Sequence, residues 1–345
     1  MSRWSVRVAA VLLGACVPLL LAEIGLRIWL PHVRESALPG RLLAISDDLG
    51  WSFRSSTTAR HRSRYFDVEY HINSMGFRDA PRTERRGVRP YRLVLYGDSM
   101  VFGWGIPAQA RFSNLLEDDG RALEAWNHAT PGYGLDQQIL LYEREAHAID
   151  VDEVVFFVST STIERLYSGK IYAKYKPRFV LEHDGRVRLV PVPRFRNRAV
   201  STAYRLLSPF YLPYFLQVRV ARARAAVMPR VLRASGDPPV PARYVGPFEL
   251  ALMRRAIAVT RAAHHRMALL VANLPQADRL ALRTFCTDND IGYLEIDSAL
   301  TIEAYTDQSS GLVLGRDDLH WNARAHGMIA DSLKRQLGAG NRTDP

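Results

Sequence analysis

Two cysteines in 345 residues, Cys16 and Cys286, leave no disulfide framework on which a fold could hang. One lies in the hydrophobic N-terminal stretch and the other near the far end, so no pairing is expected. Metal-ligand spacing is equally scarce. His264-His265 have no Asp, Glu or Cys at ligand distance along the chain, and no metal is expected there. The fragment Gly103-Trp104-Gly105 follows an apolar run as a nucleotide loop would, but Pro107 follows it and no suitably placed acidic residue does. No cofactor is therefore expected. Internal repeats and low-complexity tracts are absent. Acidic residues are the minority charge, 35 against 46 basic, for a formal +11. The Arg and Lys residues are spread along the whole chain rather than gathered into a tract, so nucleic acid is not the expected partner.

What is present is hydrophobic chain in quantity. Apolar residues make up 48% of the sequence, enough for one large α/β domain and an added N-terminal element. Residues 8–30 are mostly Val, Ala, Leu and Ile, a length that crosses a bilayer. Glu23 and Arg27 interrupt this stretch four residues apart, where they can pair on one helix face. Arg3 and Arg7 precede it, which places the N-terminus in the cytoplasm and the body outside. The expectation is thus a single-pass anchor over residues 1–30, with membrane lipid as its partner and a periplasmic or extracellular body. A cleaved signal peptide and a lipoprotein cleaved at Leu13-Gly14-Ala15-Cys16 are the alternatives.

Residues 31–88 are rich in Arg, Ser and Asp with little periodicity, and read as a juxtamembrane leader packed on the main domain. From 89 to 340 strands and helices alternate. Strands are expected at 93–96, 153–158, 267–273 and 293–296, with helices at 112–125, 140–148, 249–264, 277–288 and 323–337. Strands separated by helices of this size predict a parallel sheet covered on both faces. Residues 168–246 break the rhythm as an insertion. Within it, 179–189 reads as a hairpin with an Asp184-Gly185 turn. Pro209 and Pro213 prevent one long helix in the basic, aromatic stretch that follows. That insertion is expected to cap the active-site face, or to rest as a basic amphipathic segment on anionic lipid.

Three groups suited to acyl transfer stand at the two ends of this domain. The run Arg92-Leu93-Val94-Leu95-Tyr96 leads into Gly97-Asp98-Ser99, and Asp317-Asp318-Leu319-His320-Trp321-Asn322 precedes the last helix. A serine hydroxyl is a poor nucleophile until an imidazole takes its proton, and that imidazole works best when a carboxylate fixes its tautomer. A serine just past a buried strand also lies where open α/β sheets place their ligand crevice. Val101 stands where the last glycine of a Gly-x-Ser-x-Gly elbow would be, so this is a different turn.

In these blocks the chain resembles the SGNH/GDSL hydrolase superfamily, and more closely its bacterial membrane-anchored members with the leader Asn73-Ser74-Met75-Gly76-Phe77-Arg78. The resemblance spans about residues 45 to 337. It rests on Gly97-Asp98-Ser99 with Phe102-Gly103-Trp104-Gly105, on Asn127-His128-Ala129-Thr130-Pro131-Gly132-Tyr133-Gly134, and on the Asp-His-Trp-Asn block. It implies a three-layer, flavodoxin-like α/β/α fold and a serine-dependent ester hydrolase acting outside the cytoplasm on an acyl ester. It implies Ser99 as nucleophile and His320 as base. The His-Trp pairing favours Asp318 over Asp317 as the orienting acid. Backbone N–H groups of Ser99 and Gly132 would form the oxyanion hole. Where the family carries an Asn-Asp pair, this chain reads Val158-Ser159-Thr160-Ser161-Thr162-Ile163. Ser161 lines up with the asparagine, and a hydroxyl from Ser161, Thr160 or Thr162 would replace it. The alternatives are an O-acetyltransferase or deacetylase on an acylated cell-envelope glycan, and a catalytically weak binding protein of this fold.

Overall fold

The computed structural model describes residues 3–30, 38–82, 91–117, 123–171, 174–207, 210–216, 219–220, 243–296 and 311–339. Helix α1 (Arg3–Trp29) comes first. Two antiparallel pairs follow, β1 (Leu43–Ser46) with β2 (Gly50–Phe53) and β3 (Thr57–Arg62) with β4 (Asp67–Ile72). The leader is therefore more regular than its sequence suggests. In β3 and β4 the alternation is carried by Ala59, His61, Val68, Tyr70 and Ile72, all buried, and two of these are polar enough to hide the period.

The main domain begins with β5 (Tyr91–Tyr96), α2 (Ser99–Phe102), α3 (Phe112–Glu117), β6 (Leu123–Asn127), α4 (Leu135–Glu145), β7 (Glu153–Val158) and α5 (Thr160–Glu164). The single helix expected over 112–125 is thus a helix followed by a strand. The apolar spacing of Leu123, Ala125 and Trp126 continues the helical period, yet β6 pairs in parallel with β5 from Tyr91–Leu123 to Leu95–Asn127. Next come the short pair β8 (Lys170–Ile171) and β9 (Lys174–Tyr175), then the hairpin β10 (Arg178–Leu181) and β11 (Val187–Val190), and α6 (Arg194–Leu207). The chain ends through α7 (Pro247–Ala262), β12 (Arg266–Val271), α8 (Gln276–Asp288), β13 (Gly292–Glu295), β14 (Val313–Gly315), β15 (Asp318–Trp321) and α9 (Ala323–Ala339). Much of the basic stretch read from the insertion, residues 221–242, lies outside the described residues, as do 208–209 and 217–218.

Five strands form the parallel sheet in the order β13-β12-β7-β5-β6. Renumbered within the sheet this is 5-4-3-1-2, the flavodoxin-like order, in which the strand order reverses between the first and third strands. Alternate residues of each strand go to opposite faces. Val94, Tyr96, Val154, Phe156, Val158, Leu269 and Val271 pack in one core with α4 and α7. Leu93, Leu95, Val155, Phe157, Ala268 and Leu270 pack in the other with α2, α3 and α9. Each such side chain contributes about 1.5–3 kcal/mol of burial, which fixes the register of every strand.

The bilayer-spanning helix expected over residues 8–30 is not obtained. Among the described residues no helix is long and apolar enough to cross a membrane. In α1 Glu23 and Arg27 pair at 2.8 Å, and Glu23 is buried. Its carboxylate accepts the backbone N–H groups of Tyr211 and Leu212 at 2.9 Å, which fixes the insertion against α1. Leu13, Val17, Leu19, Leu20, Leu21, Ile24 and Ile28 are exposed on the same helix.

Candidate active site

The C-terminal ends of β5 and β7, on either side of the strand reversal, carry the site. After β5 the chain turns at Gly97, where an added Cβ would lie 2.6 Å from Val101 Cβ and 3.2 Å from Phe157 Cβ. No larger residue fits, so α2 starts tight against the sheet. Asp98 caps it by accepting the Met100 N–H at 2.9 Å. Ser99 is the first residue of α2 and is buried.

The antiparallel pair β14–β15 brings His320 to it across 221 residues of sequence. His320 Nε2 lies 2.8 Å from Ser99 Oγ, and His320 Nδ1 lies 2.6 Å from Asp318 Oδ1. A carboxylate only accepts, so Nδ1–H donates to Asp318. Nε2 is then left free to accept the Ser99 hydroxyl proton. Asp318 Oδ1 also accepts the backbone N–H of His320 at 3.2 Å, and Oδ2 accepts Trp104 Nε1–H at 3.3 Å. Burial acts to raise the Asp318 carboxyl, but its bonds to His320, the charge there and the Trp104 N–H outweigh it and hold it below the usual carboxylate range. Asp317 is elsewhere. Its carboxylate is exposed and 3.5 Å from Arg64 Nη1. The second histidine of this stretch, His326, is no rival as a base. Its Nδ1 accepts the Phe112 N–H at 3.1 Å, and burial pushes it down to about 3.

Gly132 has a left-handed φ of 85° in the loop after β6. That loop is drawn to the site by Thr130 N–H donating to Gly97 O at 3.0 Å and by Trp51 Nε1–H donating to Pro131 O at 3.2 Å. Among the described residues neither the Ser99 nor the Gly132 backbone N–H has an acceptor, so both stay available to a developing negative charge. Ser161 lies in the first turn of α5, with its Oγ donating to Asp98 Oδ2 at 3.3 Å and 3.1 Å from Ser159 Oγ. Thr160 starts α5, and Thr162 Oγ1 is taken up by Ser159 O at 3.0 Å.

The pattern reading missed Arg165. Its Nη1 donates to Asp98 Oδ2 at 2.7 Å and to Tyr133 O at 3.1 Å, joining the nucleophile turn to the Gly132 loop. It lies one helical turn past Ser161, the spacing at which a helix places two residues on one face. Trp104 and Arg78 lie in the sequence motifs, but the motifs give neither a role, because their contacts are remote in sequence.

A hydroxyl, an imidazole and a carboxylate in line, beside two unengaged backbone donors, can form and break an acyl ester on the hydroxyl. Among the described residues no group of three or more His, Cys, Asp or Glu is placed to hold a metal.

No family model matches the chain, and no curated protein matches it. Solved structures do. A lipolytic protein of the G-D-S-L family from Veillonella parvula is 11% identical with a TM-score of 0.40, the match covering 73% of this chain and 99% of that one. The esterase EstA from Pseudoalteromonas sp. is 12% identical with a TM-score of 0.41, covering 72% and 96%. The acetylxylan esterase Axe2 from Geobacillus stearothermophilus is 10% identical with a TM-score of 0.40, covering 74% and 97%. With likenesses this distant, the functional reading rests on the geometry of Ser99, His320 and Asp318.

Proposed function

We propose that this chain is a serine-dependent acyl ester hydrolase. The observation that carries the reading is the line Ser99 Oγ–His320 Nε2 at 2.8 Å and His320 Nδ1–Asp318 Oδ1 at 2.6 Å. Ser99 Oγ attacks the ester carbonyl while its proton passes to His320 Nε2. The negative charge on the carbonyl oxygen is met by the Ser99 and Gly132 N–H groups; the Ser161 hydroxyl donates to Asp98 Oδ2 and would have to turn from it to add a third bond. Collapse expels the alcohol, which takes the proton from His320, and leaves the acyl group on Ser99. Water, deprotonated by the same imidazole, then releases the acid.

The body acts at a membrane outside the cytoplasm in this reading. Its support is the exposed apolar surface of α1 and the exposed Leu206, Leu207, Phe210 and Leu216 of the segment that Glu23 holds against it. A reporter active only after export, fused behind Pro345, tests the orientation. Alkaline extraction separates an embedded helix, which stays with the lipid, from a peripheral one, which is released.

The chemistry is tested by assaying acetyl esters with the full-length protein, with and without a sugar acceptor. Ester hydrolysis that vanishes in Ser99→Ala supports the reading. Acetyl appearing on the sugar faster than in water makes the protein a transferase with the same acyl-enzyme. Wild type inert to every acyl donor refutes it in favour of a binding protein.

A further inference from the structure

Burial of an arginine with no carboxylate beside it is costly, because a guanidinium gives up its water and receives no opposite charge in return. Arg78 is such a residue. It is 2% exposed, and among the described residues it pairs with no Asp or Glu. Burial, and then the neighbouring Arg111 charge, pull it down to about 9. Its partners are backbone carbonyls from one loop. Nη1 donates to Phe102 O at 3.0 Å and Gly103 O at 2.6 Å, and Nη2 donates to Ile106 O at 2.6 Å. The guanidinium also lies 4.3 Å from the centroid of the Tyr70 ring and 5.1 Å from that of Phe102. From the other side Arg111 donates to the Arg78 carbonyl.

Between the clamped carbonyls of Gly103 and Ile106 the large side chain is Trp104. Gly103 and Gly105 on either side both adopt left-handed φ values, 77° and 74°, so the loop is bent sharply around it. Gly105 N–H donates to Tyr70 Oη at 2.9 Å, and His61 meets Trp104 edge-on at 4.8 Å. His61 and Tyr70 come from the β3–β4 pair, and Arg78 from the turn after it. The leader thus supports the indole from below, while the Trp104 backbone N–H donates to Ser99 O at 3.1 Å. Above it lies the catalytic pair. The ring stacks on His320 with centroids 5.1 Å apart and planes 23° from parallel, while Nε1–H reaches Asp318 Oδ2 at 3.3 Å.

We infer that Trp104, locked by Arg78, is a positioning residue for the His320–Asp318 pair. This deepens the serine hydrolase reading and rests on it for its catalytic meaning. The N–H on Oδ2 stops the carboxylate from rotating, so Oδ1 stays aimed at Nδ1. The π face over the imidazole attracts the positive charge that His320 acquires when it takes the serine proton. The leader motif is accordingly part of the catalytic apparatus without touching substrate.

The test uses the full-length chain and two readouts. One is ester turnover; the other is the far-downfield proton resonance of the short His320–Asp318 bond, which needs no substrate. Trp104→Phe keeps the face and loses the donor, so a severalfold loss in kcat with KM unchanged is expected, with the resonance moved upfield. Trp104→Leu loses both, and a loss of roughly 10²-fold in kcat with the resonance broadened away is expected. Arg78→Lys keeps the charge but not the fork, and should fall between the two while retaining a cooperative thermal transition. Should Arg78→Lys fail to fold, the two Trp104 variants still decide. Unchanged kcat and an unchanged resonance in Trp104→Leu would overturn the inference. A wild type inert to all esters yet showing a resonance that Trp104→Leu removes would sink the hydrolase reading and leave the positioning role standing.

Discussion

The two ends of the central sheet are built on opposite principles. At the N-terminal ends of β5, β6 and β7 the described carboxylates Glu124, Asp152 and Glu153 all have donors. Arg92 Nε meets Glu124 at 2.6 Å, Tyr91 Oη meets Glu153 at 2.9 Å, and Arg92 N–H meets Asp152 at 2.8 Å. At the C-terminal ends Asp98 and Asp318 are paired as well, with Arg165 and His320, but donors are left over, as at Ser99 and Gly132. Matched groups hold the strands in register; unmatched ones keep their capacity for a reacting molecule. Stability and chemistry are thereby assigned to different edges of one sheet, and substitutions at the two should part cleanly.

The largest effect belongs to the C-terminal edge. Ser99→Ala should lower ester turnover on the order of 10⁶-fold in kcat while leaving the thermal transition where it is. Residual activity within tenfold of wild type in a kinetic assay would displace the nucleophile from Ser99. Asp318→Asn comes next, with an expected loss of about 10⁴-fold in kcat as the imidazole loses control of its tautomer. Its pH behaviour adds a check. A carboxyl held below its unfolded value stabilises the fold above that value, about 3.9, and the gain disappears as pH falls through the lower folded one. Wild type should therefore lose stability relative to Asp318→Asn on acidification below about pH 4, in denaturation curves taken at stepped pH.

The N-terminal edge should answer in the other currency. Arg92→Met removes a buried donor from Glu124, and a loss of about 1.5–3 kcal/mol in denaturant unfolding is expected with kcat per folded molecule unchanged. A fall in kcat there, with stability intact, would end the separation of the two edges. Smallest of all is Asp317→Asn. Its exposed pair with Arg64 is worth about 0.2–1 kcal/mol at most, and turnover should stay near wild type. A drop matching that of Asp318→Asn would mean that both carboxylates serve the imidazole.

The central strands were legible because β5, β7 and β12 are short, nearly unbroken apolar runs, buried on both faces and separated by helical stretches. Ser99, His320 and the two candidate acids were legible as well, since each sits in a short local signature. What stayed hidden is whatever depends on remote partners. β6 followed a helix whose apolar period it continued, so the strand was absorbed into that helix. The β3–β4 pair hid its alternation behind His61 and Tyr70. The His-Trp pairing leaned towards Asp318 over Asp317, whereas the stacking of Trp104 on a histidine 216 positions away left no such sign. Nothing in the letters says that Arg78 is buried, because an arginine is by default a surface residue.

The Glu23 cap has a bearing on the order of events during synthesis. Its acceptor atoms are made 188 residues before the Tyr211 N–H that they receive. At 5–20 residues per second that interval is roughly 10–40 s. For all that time the nascent chain carries, in its most apolar helix, a carboxylate whose only local partner is Arg27. Closure of the cap is then the step at which the N-terminal helix and the insertion stop being independent. A chain stalled before residue 211 would leave α1 free to turn about its own axis, and a completed one would hold it in a single orientation against the segment at Tyr211 and Leu212.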